Sequence, residues 1–224
     1  MLYRLVIEQG GRVADKDEEG NTPLHFAAES GNKEAARVLL HNAASITDRN
    51  NTGLSPLHVG AKNSHHGVVS ILLQHTSMVD MTTTTGARTA LHIAGSQGAT
   101  EVTRVLLTAG ANPRARATLD WTPLHFSARE GHLDTSKMLV IKGAKIDAVT
   151  TGGWTPLMFA ASFNKVEVVR YLMSKGAQVR LTNADGLSAE VIAAGKGYSN
   201  LAAIIRGDVQ PLPEPQGSPA PRQG

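Results

Sequence analysis

The sequence has no cysteine among its 224 residues. That excludes a disulfide framework and any thiolate metal site. Aromatic residues make up only 4% of the chain, so large rings cannot dominate a core and small aliphatic side chains must fill it. No apolar run approaches the ~18 residues needed to cross a bilayer, and membrane insertion is not expected. The start at Met1 lacks the pattern of a signal peptide. A reducing compartment, cytoplasmic and/or nuclear, is therefore expected. Net charge is a mild +3, and the basic residues are spread along the chain, so nucleic acid is not an expected partner.

Catalytic patterns are missing too. The glycine-rich stretch Thr151-Gly152-Gly153-Trp154 lacks the Lys-Ser/Thr ending of a phosphate loop, and no Gly-x-Ser-x-Gly elbow occurs. No enzyme activity and no cofactor are expected. Nine histidines invite a metal reading. His65, His66 and His75 cluster in sequence, but no i, i+4 pair with a carboxylate accompanies them. No metal site is expected.

What is present is a period. Thr22-Pro23-Leu24-His25 returns as Ser55-Pro56-Leu57-His58, Thr89-Ala90-Leu91-His92 and Thr122-Pro123-Leu124-His125. It decays to Thr155-Pro156-Leu157-Met158 and Ser188-Ala189-Glu190-Val191, at spacings of 33, 34, 33, 33 and 33 residues. Each unit reads as a helix pair. Thr or Ser caps a helix start, and Pro suits the first helical position. Leu24, Ala27 and Ala28 share one face, and Gly31 ends the short helix. A second helix is predicted over Lys33–His41, burying Ala36, Leu39 and Leu40. The polar stretch around Asp48, Asn50 and Gly53 is a turn leading to the next start.

This pattern resembles the ankyrin repeat family, whose T-P-L-H-x-A signature recurs every 33 residues. Other positions recur in register: Gly31, Gly98, Gly131 and Gly197, then Leu39-Leu40, Leu72-Leu73 and Leu106-Leu107, and the closing Gly110-Ala111, Gly143-Ala144 and Gly176-Ala177. The resemblance implies an all-α ankyrin-repeat solenoid of stacked helix-turn-helix units with loop fingers. It also implies that His25, His58, His92 and His125 are structural, bonding near the capping hydroxyl.

The expected organisation has three parts: a partial repeat over 1–16 holding only a second helix, five full repeats plus a C-terminal capping repeat over 17–207, and a disordered proline-rich tail over 208–224. The N-terminal half repeat reads either as a natural cap or as a cut from a longer chain. The apolar Leu2, Tyr3, Leu5, Val6 and Ile7 favour the cut. At the other end Glu190 and Arg206 replace recurring leucines, as a water-facing terminal repeat requires.

The resemblance further implies a concave binding face formed by loop tips and first helices. The position before the capping Thr or Ser holds Asn21, Leu54, Arg88, Trp121, Trp154 and Leu187. Trp and Arg lead the residues enriched in binding hot spots. Partner-binding candidates are therefore Leu54, Arg88, Trp121, Arg129, Trp154 and Phe163. The two tryptophans are expected side by side in a row flanked by Arg88. A bland reading stands beside this, in which the Trp rings only cover their loops. Phe26, Phe126 and Phe159 occupy a recurrently apolar position and are expected in the core. The longer interval adds a residue within Thr82–Arg88, either a tolerated insertion or part of the binding face. Residues 84–116 hold Arg88, Arg104, Arg114 and Arg116 against Glu101 alone.

The expected function is a protein–protein interaction module, an adaptor or scaffold that is monomeric and binds another protein. Two alternatives remain at this point. One is a regulatory or targeting subunit of a kinase, phosphatase or ubiquitin ligase. The other is the non-catalytic part of a longer enzyme polypeptide.

Overall fold

The computed structural model describes residues 12–208. The partial repeat expected over 1–16 lies mostly outside the described residues, as does the tail beyond Asp208. Among the described residues the chain forms twelve α-helices in six pairs. The pairs are α1 (Pro23–Glu29) with α2 (Lys33–His41), α3 (Pro56–Lys62) with α4 (His66–Gln74), and α5 (Ala90–Gln97) with α6 (Thr100–Thr108). Then come α7 (Pro123–Glu130) with α8 (Leu133–Ile141), α9 (Pro156–Ser162) with α10 (Val166–Ser174), and α11 (Ala189–Gly195) with α12 (Ser199–Arg206). The fold is an all-α solenoid, as expected, and α2 spans the residues anticipated for it.

Each of the first four first helices begins with a reciprocal cap closed by a histidine. The Thr22 backbone N–H donates to Nδ1 of His25 at 3.1 Å, and the same arrangement joins Ser55 to His58, Thr89 to His92 and Thr122 to His125. Because Nδ1 accepts, Nε2 carries the proton and donates onward. From His25 it reaches the Leu54 carbonyl at 2.9 Å, and from His58 the Met81 carbonyl at 2.9 Å. His92 donates to the Ala115 and Trp121 carbonyls, and His125 to those of Ala148 and Trp154. One imidazole thus caps its own helix and ties it to the next repeat. Met158 takes this place in the fifth pair, buried but without such a donor.

Two columns of leucine run through the stack. Leu24, Leu57, Leu91, Leu124 and Leu157 form one, and Leu39, Leu72, Leu106, Leu139 and Leu172 the other, all fully buried. Alanines between them let the helices approach closely. The loops form fingers joined to one another by backbone bonds: Asn51 N–H to the Glu19 carbonyl, Thr84 to Gly53, Thr118 to Gly86, Thr151 to Leu119 and Ala184 to Gly152. Neighbouring first helices pack more closely than neighbouring second helices, so the stack curves with its first helices and fingers on the inside. On the last pair Glu190 and Arg206 meet at 2.8 Å as an exposed ion pair, which contributes little stability.

Candidate protein-binding face

The expected row exists, but the tryptophans do not touch each other. The Phe159 ring stands between them, 4.3 Å from Trp121 and 4.9 Å from Trp154. Trp121 also meets Phe126 at 4.8 Å, and the Arg88 guanidinium lies 4.8 Å over the Phe126 ring. The result is a ladder in the order Arg88, Phe126, Trp121, Phe159, Trp154. Arg129 stands beside it, 5.8 Å from the Trp121 ring and 5.5 Å from that of Phe163. Such ring and cation–ring contacts stabilise by roughly 0.5–1.5 kcal/mol each beyond area burial.

The ladder has a simple construction rule. In the middle of the stack the side chain before a cap lies over the apolar residue on the first helix of the next repeat. Arg88 covers Phe126 and Trp121 covers Phe159 in this way. Leu54 and Ile93 line one cleft in the same relation. This corrects the expectation that the three phenylalanines are core. Phe126 is 6% exposed, but Phe159 is half-buried and Phe26 is 39% exposed. Among the described residues no pre-cap side chain precedes Phe26 to cover it. A signal was available: Phe26 lies two residues after Leu24, about 200° around the helix and away from the buried face. Ser162, the residue before Phe163, is buried.

Of the six candidate residues, Arg88, Trp121, Arg129 and Phe163 come together, and Trp154 extends the row. Phe163 is 48% exposed at the end of α9. Leu54 sits one repeat away, half-buried, with its carbonyl held by His25. The Thr82–Arg88 insertion is absorbed at the finger tip. Thr82 pairs with Thr89, and Gly86 and Ala87 both take positive φ, 80° and 48°. The Thr83 hydroxyl accepts the Arg88 N–H at 3.0 Å, pinning the stem. The insertion therefore sits beside Arg88 without loosening it.

The arginine-rich third repeat divides sharply. Arg104 pairs with Glu101 at 3.2 Å and Arg116 with Asp120 at 3.0 Å, while Arg114 donates to the Gly143 carbonyl at 2.8 Å. Among the described residues Arg88 makes no ion pair.

The four cap histidines are structural. Burial holds His58, His92 and His125 at about 4, well below the ordinary 6.5, against the opposing pull of the carbonyls they donate to. Burial also lowers His25. His65 donates to the Glu29 carbonyl at 2.9 Å. Among the described residues no group of three or more His, Asp or Glu could hold a metal ion, and no helix is long and apolar enough to cross a membrane.

Comparison with known families agrees with this geometry. A model described as ankyrin repeats (3 copies) matches residues 1–85, 45–117 and 77–150, and one described as ankyrin repeats (many copies) matches 128–173. The chain belongs to the ankyrin repeat family. No curated protein matches it. The sixth helix pair of this ankyrin repeat chain follows the last match and keeps one half of the cap, Ser188 accepting the Val191 N–H with no histidine to return the bond. Ankyrin repeats are in general protein–protein interaction modules.

Proposed function

We propose that this chain is an adaptor or scaffold that binds another protein on its concave face, along the Arg88–Trp154 ladder. The observation that carries this reading is the ladder itself. A fold supplied with buried leucine columns does not require two tryptophans, the half-buried Phe159, the exposed Phe163 and two arginines gathered along one face. Such residues are the usual anchors of an interface. The stacked helices and linked fingers hold them in place beforehand, so little side-chain entropy is lost on binding. The chain contributes recognition rather than catalysis, acts as a monomer, and works in the cytoplasm or nucleus.

The test is affinity capture from cell lysate with the wild type and an Arg88→Glu/Phe163→Ser variant. Both residues are exposed, but each substitution removes one cation–ring contact, so the variant should lose about 1–3 kcal/mol of stability. The melting temperature should therefore fall by about 2–10 °C with the helical circular dichroism signal kept, and capture is run well below it. Loss of specific partners by the folded variant is expected. Retention of every partner would remove the ladder from consideration.

A further inference from the structure

Resting on the reading above, we infer that the partner presents an extended acidic peptide segment, with its carboxylates on Arg88 and its neighbours and an apolar side chain between them. Two clefts flank Arg88. One, of about 230 Å³, is lined by Leu54, Lys62, Arg88 and Ile93 among others. The second, of about 240 Å³, is lined by Arg88, Leu119, Trp121, Phe126 and Arg129 among others. Among the described residues no carboxylate lines either cleft. The second offers an apolar floor of Leu119, Trp121 and Phe126, and the first sets Leu54 and Ile93 among hydroxyl and amide groups between Lys62 and the shared Arg88.

The state of those cations selects the ligand. Arg104 and Arg116 are satisfied by carboxylates of this chain, and Arg129 by Glu130 at 3.0 Å. Arg88 is exposed with its guanidinium lying over Phe126. A ring beneath one plane of the guanidinium leaves its N–H edge open, the geometry that takes a carboxylate through two parallel bonds. The apolar floor of the second cleft suits a leucine- or phenylalanine-sized side chain of the same segment. First helices stand about 8–10 Å apart, and an extended chain rises about 3.3 Å per residue. A segment reaching from Lys62 past Arg88 to Arg129 crosses two repeats in about six residues. Acidic residues about three apart would meet Lys62 and Arg88 in turn, while Arg129, paired with Glu130, borders the far end of the second cleft.

The experiment selects peptides from a random phage-displayed library on the full chain, then measures the synthesised peptides by fluorescence polarisation. Enrichment of acidic residues around an apolar one is expected. Arg88→Glu should weaken binding at least about tenfold, the loss that follows when one charge-assisted pair is removed. Lys62→Glu, distant from the ring ladder, should weaken it several-fold. Raising the salt concentration should weaken it further. Selected peptides that are neutral or basic, yet lose binding to Phe163→Ser, would overturn the acidic partner and leave the binding face standing. Peptides indifferent to Arg88, Lys62 and Phe163 would overturn both. Binding only after serine phosphorylation of the peptide, or Arg88-dependent binding of a labelled single-stranded oligonucleotide in place of peptides, would also overturn the carboxylate assignment.

Discussion

Trp121 lies 4.3 Å from Phe159 on the following repeat, so a residue nominated for binding is also a joint between repeats. Its ring meets Phe126 and Phe159, with Arg129 beside it, whereas among the described aromatic rings Trp154 meets Phe159 alone. Trp121→Ala should therefore lower stability by about 1–3 kcal/mol, more than Trp154→Ala. Leu124→Ala, at a fully buried site, should cost ~2–5 kcal/mol. A double-mutant cycle between Trp121 and Phe159 in urea unfolding should give a coupling of about 0.5–1.5 kcal/mol. A coupling near zero would mean the rings are neighbours without mutual support.

The helix pairs were legible in the sequence because their causes are local. The hydroxyl cap, the proline after it and the glycine nine residues on lie within one unit, so α1 and α2 could be read directly. The face was legible only in part. Whether Phe126 is covered depends on Arg88, 38 positions earlier in the preceding repeat, and a single unit says nothing about that. The same limit applies to charge. Arg104 and Arg116 have partners within four residues, but Arg114 reaches a carbonyl on the next repeat. Only the stack distinguishes Arg88 from its neighbours.

Acid should loosen the stack through its histidines. In the unfolded chain each protonates near the ordinary 6.5, whereas His58, His92 and His125 resist protonation down to about 4 in the fold. Between those values the unfolded state binds more protons. The stability from the neutral imidazoles is complete above pH 6.5 and is lost as pH falls towards 4. At about pH 5 the loss is on the order of 2 kcal/mol per imidazole. Urea unfolding across this range checks it, and His125→Met should flatten the slope. Constant stability down to about pH 5 would contradict the buried neutral assignment.

Gly98 has φ of 66°, and a Cβ there would stand 2.4 Å from Nδ1 of His132. That imidazole donates to the Ser96 carbonyl at 3.0 Å. Gly98→Ala should cost about 2–3 kcal/mol, the sum of left-handed strain and the displaced bond. Gly110 has φ of 91° with nothing near its missing Cβ, so Gly110→Ala should carry the strain alone and melt higher. Equal melting temperatures would show that His132 yields without loss.

In the inserted finger Ala87 holds φ of 48°. Ala87→Gly should stabilise by about 0.5–1 kcal/mol, since left-handed strain in alanine exceeds the entropy cost of glycine. Calorimetry on the two proteins reads this directly. A lower melting temperature for the glycine variant would mean the finger draws rigidity from its alanine.

The most direct test of the binding account is where a partner touches the chain. A photo-activated cross-linking residue placed at Phe163, beside Arg129 on the inner face, is compared with one at Ile141, which is 75% exposed at the end of α8. The account predicts that partners from lysate cross-link at Phe163 and not at Ile141, and that Arg88→Glu removes the product. Cross-linking at Ile141 alone, or equally at both, would contradict it.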